Sequence, residues 1–407
     1  MSSGTVQSIH RLLCLVFFPV YLLLGLLRKF EILPGDFVVI GGSLGIKFND
    51  NSKYLYLLLQ EDPKVVWLSW SPKVVKAMRT AGLRSEFIVS WRGLYVLLRA
   101  KLFFLSHSTF DLSPLFMRGV PVIQLWHGIG FKRIGLEADG WNSSDLGQRF
   151  RNTVKRLLYV IYPHFNYMYC DRLSCMGDPT HLLGAFGIGP EKVIDYGFPR
   201  LIAFSDRFWL SHEPQLSNPD LDQVKAAREA GKKVVVYMPT HRMQFSDSSS
   251  RLQADFCEAI AQDLDIFFVY KAHFIEKGNA SSKVLSYRDP DPYPLLRYAD
   301  AIITDYSSVM LDFLVVDRPI LLFAYDLETY EANVGFNNDY KSFVPGTICR
   351  TIEELLSTLK LELEDPKRTQ AKRDNCLNLF KLDEFRSQAG VRVDRFRELA
   401  RNGLPSG

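Results

Sequence analysis

The chain has 407 residues, of which 47% are hydrophobic and 23% charged, a balance that suits a folded protein and excludes a disordered, collagen-like or multi-span membrane chain. Its length exceeds one ordinary core and fits two domains of roughly 150 to 200 residues. Lys and Arg number 49 against 45 Asp and Glu, a net +4, too weak for a chain whose business is neutralising a nucleic-acid backbone, so no nucleic-acid partner is expected. The surplus sits at the ends: residues 1–33 hold Arg11, Arg28 and Lys29 against Glu31, and residues 365–401 hold ten basic against six acidic residues. The 6 cysteines are scattered, with no zinc-finger spacing, and read as free thiols in a reducing compartment.

The first element is the uncharged run Leu12 to Leu27, flanked by Arg11 and Arg28. As a helix it reaches roughly 24 Å, short of the ~30 Å of a hydrocarbon core, and Pro19 would kink it. No small-residue cleavage site follows. The run is expected to be an uncleaved membrane-surface anchor, its cations facing anionic head groups on the cytoplasmic face, with a core helix or a signal anchor as the other readings.

From Pro34 onward, short apolar runs ending in Gly or Ser alternate with helical stretches, the pattern of a parallel sheet. Strands are expected at residues 36–40, 65–69, 86–90, 102–107 and 121–126, with helices at 52–60, 72–81 and 94–99. Residues 205–222, rich in Pro, Ser and Asp, read as loop. A second α/β block follows, with strands at 232–239, 266–271, 301–305 and 319–323 and helices at 251–262, 292–298, 307–316 and 352–361. The expected organisation is an apolar segment 1–33, a Rossmann-like domain 34–190, a second Rossmann-like domain 191–364 and a basic helical tail 365–407. In this α/β, GT-B-like arrangement the two domains would face a cleft at strand carboxyl ends.

Gly41-Gly-Ser-Leu-Gly45 does not fit a dinucleotide fingerprint and reads as a tight strand-to-helix turn. No Walker A lysine, His-Glu-x-x-His or Gly-x-Ser-x-Gly is present, so no cofactor or metal is expected. Four segments place reactive side chains at strand ends. In Trp126-His-Gly128, followed by Lys132 and Arg133, a histidine of near-neutral pKa suits removal of a hydroxyl proton. In Pro239-Thr-His-Arg242, Thr240 can donate a hydrogen bond and Arg242 can grip a phosphate. In Lys271-Ala-His273, either cation can offset phosphate charge. In Thr304-Asp-Tyr-Ser-Ser308, hydroxyls of Thr304, Ser307 and Ser308 cluster at a helix N-terminus, where backbone N–H groups attract an anion. Each segment alone has a structural reading: a core histidine, a solvated turn, or an N-cap.

Together, Trp126-His-Gly, Pro239-Thr-His-Arg, Lys271-Ala-His and Thr304-Asp-Tyr-Ser-Ser-Val-Met-Leu-Asp-Phe313 resemble the CDP-glycerol:poly(glycerophosphate) glycerophosphotransferases, which make teichoic acids and related capsular polymers. Gly197-Phe-Pro-Arg200 is similar to that family's Gly-Tyr-Pro-Arg turn. The resemblance covers residues 120–350 and implies a GT-B fold, His127 as catalytic base, and His273 at the donor pyrophosphate with Thr304, Ser307 and Ser308. Gly128, Lys132, Arg200 and Asp305 are supporting positions. His241 departs from the family's usual aromatic residue. The implied reaction moves a polyol phosphate, glycerol phosphate foremost, from CDP-glycerol or a related CDP-polyol to a hydroxyl of a lipid-linked glycan acceptor, releasing CMP at the membrane surface. A nucleotide-sugar glycosyltransferase on the same scaffold, or a catalytically silent nucleotide-binding scaffold, are the competing readings.

Overall fold

The computed structural model describes residues 3–137, 145–240, 260, 265–271, 284–382 and 391–404. The chain divides into two compact units, Met1–Arg200 with Val391–Gly407, and Leu201–Gly390. The divide therefore falls after Arg200, where the sequence pattern placed it after 190. The terminal helix Val393–Asn402 belongs to the first unit; its Phe396 ring meets Phe104 at 6.2 Å and Tyr196 at 5.3 Å.

The first unit holds seven strands: β1 (Phe37–Ile40), β2 (Val65–Ser69), β3 (Ser85–Phe87), β4 (Ala100–Leu105), β5 (Val122–Gln124), β6 (Arg172–Ser174) and β7 (Val193–Ile194). They lie in the order β3-β2-β1-β4-β5-β6-β7 and every pairing is parallel. Val38, Val39, Ile40 and the run Leu102 to Leu105 are fully buried, as central strands covered on both faces by helices must be. The helices include α1 (Ser3–Val16), α2 (Phe18–Lys29), α3 (Asp50–Leu59), α4 (Pro72–Thr80), α5 (Trp91–Leu98), α6 (Leu146–Ile161) and α7 (Thr180–Phe186). Ser71 caps α4 by accepting from the Val74 N–H, with Pro72 in the first turn. The strand expected to run to Ser90 stops at Phe87, because Ser90 is the N-cap of α5 and accepts from the Gly93 N–H.

Register fixes where the strands end relative to one another. Ile40 pairs with Phe104, and Leu105 with Gln124. The chain leaving β1, β4 and β5 therefore emerges side by side at one edge of the sheet.

The single membrane-associated helix expected at the N-terminus is instead two helices bent by 63° around Phe17, and among the described residues no single helix is long and apolar enough to cross a membrane. Pro19 sits in the first turn of α2, where its missing N–H costs nothing. One face of the pair is built into the first unit: Cys14, Tyr21 and Leu24 are buried. The Tyr21 hydroxyl meets His164 Nδ1 at 2.8 Å, His10 Nε2 meets Ser113 Oγ at 3.1 Å, and the Arg28 guanidinium donates to the carbonyls of Phe116 (2.7 Å), Arg118 (2.8 Å) and Leu97 (3.0 Å).

The second unit holds β8 (Lys233–Tyr237), β9 (Ile266–Tyr270), β10 (Val284–Ser286), β11 (Ala301–Thr304), β12 (Ile320–Phe323) and β13 (Thr347–Cys349) in a parallel sheet ordered β10-β9-β8-β11-β12-β13. The stretch read as loop at 205–222 is helical: α8 (Asp206–Leu216) and α9 (Pro219–Glu229). Its prolines and polar residues mark helix ends, since Asn218 caps α9 by accepting from the Leu221 N–H, while Phe208, Trp209 and Leu216 bury one face of α8. The helix expected over 307–316 is only Val309–Asp312, continued as a 3-10 turn Phe313–Val315. The helix expected over 251–262 lies, apart from residue 260, outside the described residues.

Candidate active site

In the first unit the chain ends of β1, β4 and β5 converge on two histidines. His127 follows β5, and its Nδ1 lies 3.1 Å from the Ser106 carbonyl. A carbonyl only accepts, so Nδ1 carries the proton and Nε2 keeps its lone pair. His107 follows β4, and its ring stacks on that of His127 with centroids 4.4 Å apart and planes inclined by 12°. The Ser43 N–H donates to His107 Nδ1 at 3.2 Å, and the Ser106 hydroxyl lies 3.0 Å from the same nitrogen. His107 Nε2 faces Asp50 Oδ2 at 3.8 Å, and Asp50 Oδ1 receives the Arg200 guanidinium at 2.8 Å.

The backbone around these groups is held under strain. Trp126, Ser43, Leu44 and Asp50 have φ of +54°, +48°, +55° and +57°, a region that non-glycine residues occupy at a cost of about 1–3 kcal/mol each. Two buried side chains hold them there. Asn51 donates to the Trp126 carbonyl at 2.8 Å and the Leu125 carbonyl at 3.3 Å, and accepts from the Arg200 N–H at 3.1 Å. Asp111 accepts from the N–H groups of Leu44 (2.7 Å), Ser106 (2.9 Å) and His107 (2.8 Å). The Gly41–Gly45 segment is the tight turn its composition suggests; a Cβ on Gly45 would meet Trp70 at 2.3 Å and the Asp111 carbonyl at 2.7 Å. That turn delivers the Ser43 N–H to His107.

Burial above all, with the neighbouring His107 acting in the same direction and Asp50 against it, pushes the His127 imidazole down to about 4. Burial alone would raise Asp50, yet Arg200 and the two histidines outweigh it and hold the carboxyl below its ordinary value. At neutral pH the arrangement is an unprotonated imidazole with one nitrogen free to accept, beside a carboxylate already paired to arginine. That is the equipment of a general base. Gly128 is buried next to it, and Lys132 Nζ lies 5.7 Å from the Phe131 ring centroid.

In the second unit Asp305 is buried at the end of β11. Its Oδ1 accepts from the Thr240 N–H (2.8 Å), the Thr240 hydroxyl (2.5 Å) and the Tyr306 N–H (2.6 Å), and its backbone carbonyl accepts from the Tyr340 hydroxyl at 2.7 Å. Thr304 is fully buried and its hydroxyl donates to the Met238 carbonyl at 2.7 Å. Thr304, expected at a phosphate, thus has its one O–H directed at the backbone of the neighbouring strand's end. Thr240 likewise gives its hydroxyl to Asp305, so Thr240, Thr304 and Asp305 knit β8 to β11. Ser307 and Ser308 are half-buried beyond that frame, and Lys271 stands half-buried just past β9. With only four residues of α-helix behind them, the serines have less helix dipole than the expected longer helix would supply. Arg242 and His273, expected at the phosphates, and His241 lie outside the described residues.

The family model of CDP-glycerol:poly(glycerophosphate) glycerophosphotransferases matches residues 35–390. The chain belongs to this family. It is 28% identical over 341 residues to a teichoic acid glycerol-phosphate transferase of Staphylococcus aureus, covering 78% of this chain and 81% of that protein. It is 26% identical to a teichoic acid ribitol-phosphate primase of Bacillus spizizenii, covering 83% and 85%. The wall teichoic acid polymerase TagF superposes with a TM-score of 0.71 at 20% identity over 98% of both chains, and so shares the fold: two parallel α/β sheets of GT-B-like type. A TagF variant soaked with CDPG superposes equally well, at 0.71.

For a glycerophosphotransferase-family chain, sequence reasoning found His127 but passed over His107, Asp50 and Asn51. One signal was present: Ser106-His107 ends an apolar run just as Trp126-His127 does. Two histidines closing neighbouring parallel strands must meet at one sheet edge. Arg200, a supporting position by its motif, is seated on Asp50. Among the described residues no group of three His, Cys, Asp or Glu side chains is arranged to hold a metal ion.

Proposed function

We propose that this chain transfers a polyol phosphate, glycerol phosphate foremost, from a CDP-alcohol to a hydroxyl of a lipid-linked glycan or growing polymer in teichoic acid or related capsular polymer synthesis, releasing CMP. The observation that carries the reading is the His127 ring, whose Nδ1–H is committed to the Ser106 carbonyl so that Nε2 alone can accept a proton. The acceptor O–H gives its proton to Nε2 as the oxygen bonds to the phosphorus bearing the polyol. The P–O bond to CMP breaks, and CMP leaves with the electron pair. Lys271, Ser307 and Ser308, with Arg242 and His273, hold the diphosphate and offset the charge that develops on CMP, which is positioning and electrostatic work. Thr240 and Asp305 support that surface through their own hydrogen bonds.

CDP-ribitol is the second donor reading, favoured by ribitol-phosphate enzymes among the relatives. Purified protein offered CDP-glycerol, CDP-ribitol and nucleotide sugars should release CMP from a CDP-polyol. His127→Ala should lower kcat by about 10²–10⁴-fold with CDP-polyol binding retained. Release of a nucleoside diphosphate, or full activity without His127, would refute the reading.

The place of action is proposed as the cytoplasmic face of a bacterial membrane, bound peripherally. Support comes from the outward faces of three helices. Leu12, Val16, Leu23 and Leu26 are exposed on α1 and α2, and Leu146, Phe150, Val154, Leu157 and Ile161 are exposed along α6. The latter spacing is one helical stripe, bordered by Arg149, Arg151, Lys155 and Arg156, as in helices that lie in an anionic lipid interface.

A further inference from the structure

We infer that His107 is a positioning residue for His127: locked into one tautomer by Ser43, Ser106 and Asp50, it backs the ring of the base and governs how that base holds its proton. The inference rests on the reading of His127 as general base. His107 Nδ1 receives two donors, the Ser43 N–H and the Ser106 hydroxyl. A nitrogen so occupied has no site for a proton of its own, so the ring proton sits on Nε2, toward Asp50. The ring presented to His127 at 4.4 Å is thus a neutral π face, and an imidazolium forming on His127 lies over it with the Asp50 carboxylate nearby.

Two features show that this placement is built. Ser43 adopts a φ of +48°, which a serine does not take without reason, and that conformation aims its N–H at His107. Ser106 serves both rings, its carbonyl accepting from His127 and its hydroxyl facing His107. Among the described residues, the charged groups facing the pair are Asp50 from the start of α3, Arg200 from the end of the first unit and Asp111 from the loop after β4. Asp111 is taken up by backbone N–H groups, and of the paired Asp50 and Arg200 the carboxylate favours a proton on His127 while the guanidinium opposes it less strongly.

The proton on His127 is therefore set by two neighbours, the imidazole face at 4.4 Å and the Asp50 carboxylate. The opposite signs of two substitutions test the coupling. His107→Phe keeps a ring but presents a more electron-rich π face to an imidazolium than a neutral imidazole does, so the midpoint of His127 should rise by about 0.5 pH unit or more. Asp50→Asn removes the attraction, so the midpoint should fall. Both are read from the His127 ring resonance by NMR titration, assigned by its loss in His127→Ala, and need no activity. His107→Asn keeps an acceptor near the Nδ1 position and loses the ring; it should lower kcat for CMP release by about 10–100-fold while KM for CDP-glycerol stays within about twofold. Unmoved titration midpoints, or midpoints moving in the same direction, overturn the inference. So does native kcat in folded His107→Asn. A native chain that releases no CMP from any CDP-polyol defeats the proposed function instead, and the titration still decides the coupling.

Discussion

Asn51→Ala probes the part of the site that holds His127 without touching substrate. Asn51 is fully buried, and its side chain makes hydrogen bonds of 2.8 and 3.3 Å to the carbonyls of Trp126 and Leu125 and one of 3.1 Å from the Arg200 N–H. At about 0.5–1.5 kcal/mol each the three bonds sum to ~2–4 kcal/mol, toward the upper end because the two abandoned carbonyls and the N–H stay buried. Stability is only part of the loss. Trp126 sits at φ +54°, and without the Asn51 clamp the chain can relax out of that conformation and regain about 1–3 kcal/mol. His127 is the next residue, and a displacement near 1 Å costs about 100-fold in rate. Urea unfolding should show the stability loss, and CMP release, measured where the variant is fully folded, should show kcat reduced by about 100-fold. A loss under about 1 kcal/mol together with native kcat would refute the claim that Asn51 holds the strained turn.

The protein should also lose stability as pH falls from about 6.5 to 4, because burial above all pushes His10 and His127 down to about 4 and His164 to about 3. Each is neutral when folded and takes a proton when unfolded, so the stabilisation is present above 6.5 and fades through this window by on the order of 2–3 kcal/mol per histidine; urea midpoints at pH 7 and pH 5 check it, and unchanged midpoints refute it. Arg28→Met should strip the carbonyls of Leu97, Leu98, Phe116 and Arg118 of their donor and cost ~2–4 kcal/mol, with α1 and α2 opening first in hydrogen exchange, whereas Leu12→Asp with Leu23→Asp should shift stability by less than about 1 kcal/mol and weaken binding to anionic vesicles. Equal vesicle binding would remove the membrane role of these faces. Thr304→Val should cost about 1 kcal/mol and leave KM for the CDP-alcohol unchanged, while Ser307→Ala should raise it; the reverse pattern would restore Thr304 as a phosphate ligand.

The Arg28 prediction also changes how the N-terminus can be studied. Deleting residues 1–30 would remove Tyr21 and Arg28 from buried partnerships as well as the exposed leucines, so loss of membrane binding could not be separated from unfolding. Point substitutions on the outward faces separate the two. An apolar run alone could not show this, because Leu24, which is buried, and Leu23, which is exposed, are the same residue type one position apart.

Much of the fold was legible in local sequence. Val-Val-Ile at β1, Val-Val-Trp-Leu at β2 and the βαβ run from Ala301 to Phe323 announce buried parallel strands by β-branched content and length alone. Capping explains two differences: Ser90 reads as the end of a strand and Asn218 as loop, but each is a helix N-cap once its N–H partner is placed. Likewise Thr304 and Ser307 are both hydroxyls in one motif, and nothing in the motif tells that one is spent on Met238 while the other lies beyond the frame. Burial makes that distinction, and burial is a property of the folded chain.

Charge and composition by themselves pointed to a two-core chain with cationic ends, and the strand-end motifs, through their likeness to a known family, singled out His127 as the candidate base. Local physics suffices for those, since apolar runs and reactive residues beside glycines carry their signal within a few positions. Only the tertiary structure decided what surrounds His127. Asp50, His107 and Arg200 are far apart in sequence, and the order of β1, β4 and β5 with their common register is what brings the first two beside the base. The same holds at the N-terminus, where contacts to Ser113, Phe116 and His164 turned an apolar run into a helix pair with one buried and one outward face.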